Sequence, residues 1–77
     1  MNLYLISQTV NNNYDSYDSA VVAAESEEKA RLIHPAAYNE AWMGASWCKP
    51  EDVQVQLIGV AVDGTVAGII CASFNAG

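Results

Sequence analysis

The stretch Ser19–Ile33, SAVVAAESEEKARLI, contains the change of pattern that decides the fold. Its first six residues are small or β-branched, which indicates a strand over which another element can pack closely. Ser26 then offers the side chain of an N-cap, with two glutamates after it at the positive helix end and a lysine and an arginine toward the negative end. We therefore predict a strand over Ser19–Ala24 and a helix over Ser26–Ile33.

A proline limits the length of this helix. Pro35 disfavours the α conformation of the residue before it, so the helix is expected to end near Ile33. A second helical turn over Pro35–Trp42 stays an open alternative. Ala30 and Ile33 are three residues apart and share one face of the helix, which we expect to cover the sheet.

Three further segments have the alternating pattern of strands, namely Asn2–Val10, Val53–Val62 and Val66–Phe74. Asp63-Gly64, between the last two, is a strong hairpin signal, and the first segment is most simply joined to the SAVVAA strand by another hairpin. The order β-β-α-β-β predicts an α+β fold in one domain over residues 1–77. We expect a small antiparallel four-stranded sheet with one helix packed across one face.

The charge balance of the chain is acidic. Three Lys or Arg residues against nine Asp or Glu residues give a formal net charge of −6. Such a chain repels nucleic-acid phosphate and anionic membranes, so we expect neither as a direct partner. The charge favours docking on a basic protein surface, and solubility alone is the simpler alternative.

The N-terminal segment and the apolar segments of the sequence indicate where in the cell the protein is expected. The first residues, MNLYLISQTV, lack the basic and long apolar regions of a signal peptide, and VAGIICA is too short to span a bilayer. We therefore expect a cytoplasmic chain with reduced cysteines. In that setting Cys71, in an apolar strand, is expected to pack as a small hydrophobe. The ammonium of Lys49 is expected to favour the thiolate of Cys48 modestly.

Catalytic and metal-binding patterns are weak in this sequence. The single histidine, His34, precedes a proline at a helix end, where a capping role is commoner than pairing with the thiol of Cys48 or Cys71. Two cysteines and one histidine fall short of zinc-site spacing. The run Asn11–Ser19, NNNYDSYDS, has oxygen donors but not the register of a calcium loop. We expect no enzyme activity, no metal and no cofactor.

Aromatic residues concentrate outside the predicted strands. Tyrosine and tryptophan combine apolar area with a polar group, which is typical of binding surfaces. The candidate binding residues are these aromatics and the two aspartates beside them: Tyr14, Asp15, Tyr17, Asp18, Tyr38, Trp42 and Trp47. For Trp42 and Trp47, folding back over a thin core is a slightly favoured alternative.

The doubled Tyr-Asp-Ser triplet has two interpretations. The extra copy either extends the second strand with alternating Tyr and Asp faces, or presents an acidic, aromatic ledge in the connection. In both cases it brings carboxylates and rings together. Such a surface suits arginine-rich or lysine-rich partners through carboxylate pairing and cation–π contacts.

Two segments carry a resemblance to known sequences. NNNYDSYDSAVVAAESEEKARLIHP (11–35) and GIICASFNAG (68–77) resemble a family of short acidic proteins encoded by tailed phages and their prophages. The resemblance implies a phage origin and a cytoplasmic setting in the infected host cell. It implies no activity and transfers no functional residue.

Three hypotheses follow for the function. The leading one is a non-enzymatic phage-encoded protein, such as an anti-defence inhibitor of the anti-CRISPR kind, that docks an acidic, aromatic surface on a basic site of a host protein. The second is an oligomer that binds or sequesters a small molecule or nucleotide near Tyr38, Trp42 and Trp47. The third is a structural homodimer or larger homo-oligomer paired through sheet edges, which few lysines block.

Overall fold

The computed structural model describes residues 1–10, 16–35 and 47–75 of the chain. Four antiparallel strands and one short helix form an α+β fold, as the sequence predicts. In chain order the elements are β1 Asn2–Ser7, β2 Ser16–Ala24, α1 Glu27–Arg31, a 3₁₀ helix Pro50–Asp52, β3 Gln54–Val60 and β4 Gly68–Asn75. In these described ranges no helix is long and apolar enough to cross a membrane.

The first two strands form the centre of the sheet. They pair from Asn2↔Ala24 to Ser7↔Ser19. Because side chains alternate between the two faces of a sheet, Tyr4 and Ile6 lie on the same face as Ala20 and Val22. This face is covered and forms the core, whose buried apolar residues are Tyr4, Ile6, Ala20, Val22, Ala24, Ala30, Trp47 and Val53.

The start of the helix agrees with the prediction. Ser26 is the N-cap, and its Oγ accepts a hydrogen bond from the backbone N–H of Lys29 at 3.2 Å. Ala30 is fully buried against the sheet, and the helix ends at Arg31 with Leu32 as C-cap. The predicted second turn over Pro35–Trp42 lies outside the described residues beyond residue 35.

The strand order is β3-β1-β2-β4, so the predicted hairpin between the last two strands is wrong. The turn signal itself is real, because Thr65 N–H donates to the Val62 carbonyl at 3.2 Å and Gly64 has φ 90°. The connection 61–67 then crosses the sheet past the start of β1 and the end of β2 instead of folding back. It must span three strand spacings, about 14 Å, and its length can reach about 26 Å.

One face of the sheet lies opposite the core. Leu5, Val21 and Cys71 share it, since Leu5 pairs with Val21 and Val21 pairs with Cys71. Cys71 is exposed there, so the prediction that it packs as a small hydrophobe is wrong. The physical reason is that α1 packs against the other face, and an apolar strand pattern alone does not show which face is covered.

Candidate functional site

The second Tyr-Asp-Ser triplet belongs to β2, which begins at Ser16 instead of the predicted Ser19. The pairing with β4 skips a residue between Tyr17 and Ser19, so Asp18 lies at a β-bulge. Tyr17 is half-buried against the core, whereas Asp18 is exposed. For this triplet the strand-extension interpretation is confirmed, and Asp18 is the part of it that faces solvent.

A buried glutamine holds this bulge in place. Gln8 is only 4% exposed, and its side-chain Nε2 donates to the carbonyl of Tyr17 at 2.8 Å. Its backbone N–H donates to the carbonyl of Asp18 at 3.1 Å. Sequence reasoning missed Gln8, since it placed this residue inside a longer first strand that ends at Ser7 in the structure. The two bonds fix the position from which the Asp18 carboxylate projects.

The other candidate residues divide into two groups. Tyr14, Asp15, Tyr38 and Trp42 lie outside the described residues. Trp47 is 3% exposed and belongs to the core, as the fold-back interpretation expects. Its ring is therefore not presented to a partner on the surface. It meets the ring of His34 edge-on, with the ring centroids 6.4 Å apart.

A small cleft lies at the end of the helix. His34, Trp47 and Cys48 line it together with residues 31–33 and Pro50. Its volume is about 50 Å³. At roughly 15 Å³ per enclosed water it has room for a few water molecules, whereas small-molecule sites measure about 300–1,000 Å³. The described part of this cleft therefore gives no support to a nucleotide site beside Trp47.

The chemistry of the cleft does not favour a nucleophilic thiol. Burial raises the pKa of Cys48, and the negative charges of Asp52 and Glu51 raise that pKa further. The prediction that Lys49 favours the thiolate is thus wrong in direction, because desolvation and two nearby carboxylates outweigh one exposed ammonium. His34 and Cys48 line one cleft, but the environment raises the pKa of the thiol and so disfavours the nucleophilic thiolate.

Arg31 ties the helix to the segment before β3. Its guanidinium donates to the carbonyl of Pro50 at 3.2 Å and to the carbonyl of Val53. It also lies 3.7 Å from the carboxylate of Glu27. The sequence analysis relates Arg31 only to the helix dipole. Its carbonyl partners lie 19 and 22 residues away, so no local pattern predicts these hydrogen bonds. The effect is to fix the 3₁₀ helix against α1.

Three exposed carboxylates lie at one end of the sheet. Asp18 follows the start of β2, and Glu51 and Asp52 immediately precede β3. Both segments flank the end of β1, since Ser7 pairs with Ser19 on one side and with Gln54 on the other. We name Asp18, Glu51 and Asp52 the acidic end.

Two of the three basic residues pair with other carboxylates, and the third, exposed Lys49, lies two residues before Glu51. Lys29 bonds the carboxylate of Glu25 at 2.8 Å, and this bond lowers the pKa of Glu25 and raises that of Lys29. Arg31 pairs with Glu27 at the helix. Among the described residues no ion pair involves the carboxylates of Asp18, Glu51 or Asp52. The raised pKa of Cys48 agrees with a negative potential there.

Neither the arrangement of possible metal ligands nor comparison with known proteins assigns a function to this site. In the described ranges no group of three or more His, Cys, Asp or Glu side chains is placed to hold a metal ion. Comparison of the chain with protein-family models, with curated proteins and with solved structures finds no match. The functional argument therefore depends on the geometry and charge of the molecule.

Proposed function

We propose that this chain is a non-enzymatic, phage-encoded binding protein that places its acidic end on a basic site of a host protein in the cytoplasm of the infected cell. The partner class is a defence or nucleic-acid-handling protein, whose basic groove the carboxylates would occupy. Binding there would exclude the natural polyanion and so act as anti-defence inhibition.

The observation that carries this proposal is that the acidic end is both exposed and held rigidly. Gln8 fixes the backbone at Asp18 by two hydrogen bonds. Arg31 fixes the 3₁₀ helix that carries Glu51 and Asp52. Carboxylates on fixed backbone lose less conformational entropy on binding than carboxylates on a flexible tail. Rigid placement is what a docking surface needs and what solubility does not require.

The charge distribution also supports a basic partner. A negative patch steers a basic protein toward it, and carboxylates accept charge-assisted hydrogen bonds from arginine. Tyr17 precedes Asp18 in β2 and is half-buried against the core, so part of its ring surface stays available for contact with an arginine plane. The expected binding is therefore strongly dependent on ionic strength. Association slows as added salt shortens the Debye length, which is about 10 Å at 0.1 M.

The test is a capture experiment from host lysate at low salt, followed by purified-component binding. In the test variant Glu51→Gln and Asp52→Asn remove two charges from the acidic end. The matched control, Glu28→Gln with Asp63→Asn, removes two charges from exposed residues elsewhere. We expect the test variant to weaken binding at least tenfold and the control to change it less than threefold.

Two results would contradict the proposal. One is the absence of any specific partner at low salt. The other is a partner whose binding falls equally with both double variants, because binding would then respond to net charge and not to the acidic end. Turnover of a substrate by the purified chain would remove the non-enzymatic part of the proposal.

A further inference from the structure

β3 is an edge strand without charged side chains. The stretch Val53–Val62, VQVQLIGVAV, contains no acidic or basic residue, although the chain carries a net charge of −6. Among the described strands β3 pairs only with β1 and so forms an edge of the sheet, where its outer backbone N–H and C=O groups have no strand partner. Natural edge strands are usually blocked by lysine, proline or an inward-pointing charge. β3 has none of these three devices, and its one interruption is a β-bulge at Ile58.

The same edge exposes large aliphatic side chains. Leu57 is 60% exposed, Ile58 48% and Val60 76%. Single exposed aliphatic residues are ordinary, but three within four positions concentrate exposed apolar area on an uncharged edge strand. An added β-strand can hydrogen-bond the unpaired backbone groups and cover the adjacent apolar side chains.

β3 offers a better edge than β4. The pairing of β3 with β1 is interrupted once, where Ile58 is the extra residue between the partners of Leu3 and Tyr4. The pairing of β4 with β2 is interrupted twice. Each bulge increases twist and disturbs the regular ladder, so a strand can add more readily to β3. The bulge at Ile58 still limits the ladder, which favours a weak contact over a permanent one.

Charge identifies the occupant and its direction. Two copies of an acidic chain repel except where their surfaces lack carboxylates, and β3 is such a surface. Glu51 and Asp52 immediately precede it. Antiparallel pairing separates the two Glu51–Asp52 pairs by more than one strand length, over about 20 Å, which exceeds the Debye length of about 8 Å at physiological salt. Parallel pairing would bring the four carboxylates together.

We propose that β3 pairs with β3 of a second copy, antiparallel about a two-fold axis, and forms a continuous eight-stranded sheet. Leu57 is the middle residue of β3, so the two Leu57 side chains lie close to the axis. Both helices then lie on the same side of the sheet, and the two acidic ends point away from each other. A small interface of this kind is expected to give a weak dimer that dissociates on dilution.

The experiment is sedimentation velocity of the full chain from about 5 µM to about 500 µM. The wild type is expected to shift with concentration from one chain of 8.3 kDa toward a species of twice that mass. Leu57→Lys puts like charges near the axis and is expected to weaken the dimer at least tenfold. Val60→Lys, at a more exposed position, repeats the test should Leu57→Lys fail to fold by circular dichroism.

Two controls assign the surface. Val66→Lys makes a similar apolar-to-lysine change at a residue 82% exposed outside the strands and is expected to leave the dimer within twofold of wild type. Ser73→Lys places the charge on the β4 edge and is expected to do the same. A wild type that stays monomeric throughout, or a dimer weakened by Ser73→Lys but not by the β3 variants, would overturn the proposal.

This inference is independent of the proposed function. The lysine variants at β3 keep every carboxylate of the acidic end, and the variants of the acidic end keep β3 unchanged. A wild type that binds a partner through the acidic end but stays monomeric would refute only the β3 proposal, and one that dimerises through β3 but has no specific partner would refute only the proposed function.

Discussion

Replacing Trp47 by alanine tests whether this indole is core or binding surface. The side chain is 3% exposed. An indole buries roughly 200–250 Å², worth about 5–6 kcal/mol at about 25 cal/mol per Å². The compactness of the unfolded chain reduces this by 10–40%. We expect a loss of about 3–4 kcal/mol in the free energy of unfolding, within the range of about 3–5 measured for large-to-small tryptophan substitutions.

Urea unfolding followed by far-ultraviolet circular dichroism measures this loss. A domain of this size has about 4–11 kcal/mol of total stability, and a urea slope near 1 kcal/mol/M turns the loss into a midpoint about 3 M lower. Leu57→Ala, at a residue 60% exposed, is the control and is expected to cost under about 1 kcal/mol. If Trp47→Ala unfolds within 1 kcal/mol of wild type, the placement of Trp47 in the core is incorrect.

Three smaller predictions concern single groups. Ser26→Ala removes the N-cap bond and is expected to cost about 0.5–2 kcal/mol in urea unfolding. Iodoacetamide is expected to alkylate exposed Cys71 faster than Cys48, whose raised pKa keeps it protonated, as mass spectrometry of peptides will show. Lys29→Gln is expected to raise the lowered pKa of Glu25 back toward 4.5, as measured by NMR titration. Since that pKa is lowered by folding, the stabilisation by the pair exists above pH 4.5 and disappears as the pH falls through the folded value.

The local features of the fold could be predicted from the sequence. The N-cap at Ser26, the end of the helix before Pro35 and the buried face at Ala30 all depend on residues within one or two helical turns. The extension of β2 through Tyr17 was one of two open alternatives. The hydrogen bonds of Gln8 decide it, and they join residues nine and ten apart, beyond the reach of a local pattern.

The strand order could not be predicted, because it depends on competition between edges. Asp63-Gly64 does form a turn, and a turn of this kind usually joins adjacent strands. A hairpin here, however, would leave the outer side of β2 unpaired. By crossing to β2, β4 places Ile69 beside Val22 and Ala72 beside Ala20. Both outer sides of the β1–β2 pair then have strand partners. The resulting stabilisation depends on the whole sheet and not on the local turn.

The candidate site, like the fold, could be predicted from the sequence only in part. The sequence locates acidic residues near Tyr17 and singles out Trp47, but solvent exposure is a property of the assembled layers. Trp47 closes the core, and Glu51 and Asp52, which sequence reasoning treated only as residues preceding a strand, share the acidic end with Asp18. These residues come together because Ser7 pairs with β2 on one side and with β3 on the other. The two strands are far apart in sequence, so no local motif predicts that they lie close together.

Charge segregation links the two proposed surfaces. Among the residues within the four strands, Asp18 is the only charged one, and it lies at a bulge. The remaining charges of the described ranges lie in the helix, the 3₁₀ helix and the connections. Pairing through β3 therefore does not compete with docking through the acidic end. A dimer would present two such ends in fixed relation, so a partner with two basic sites would be bound more tightly than one with a single site.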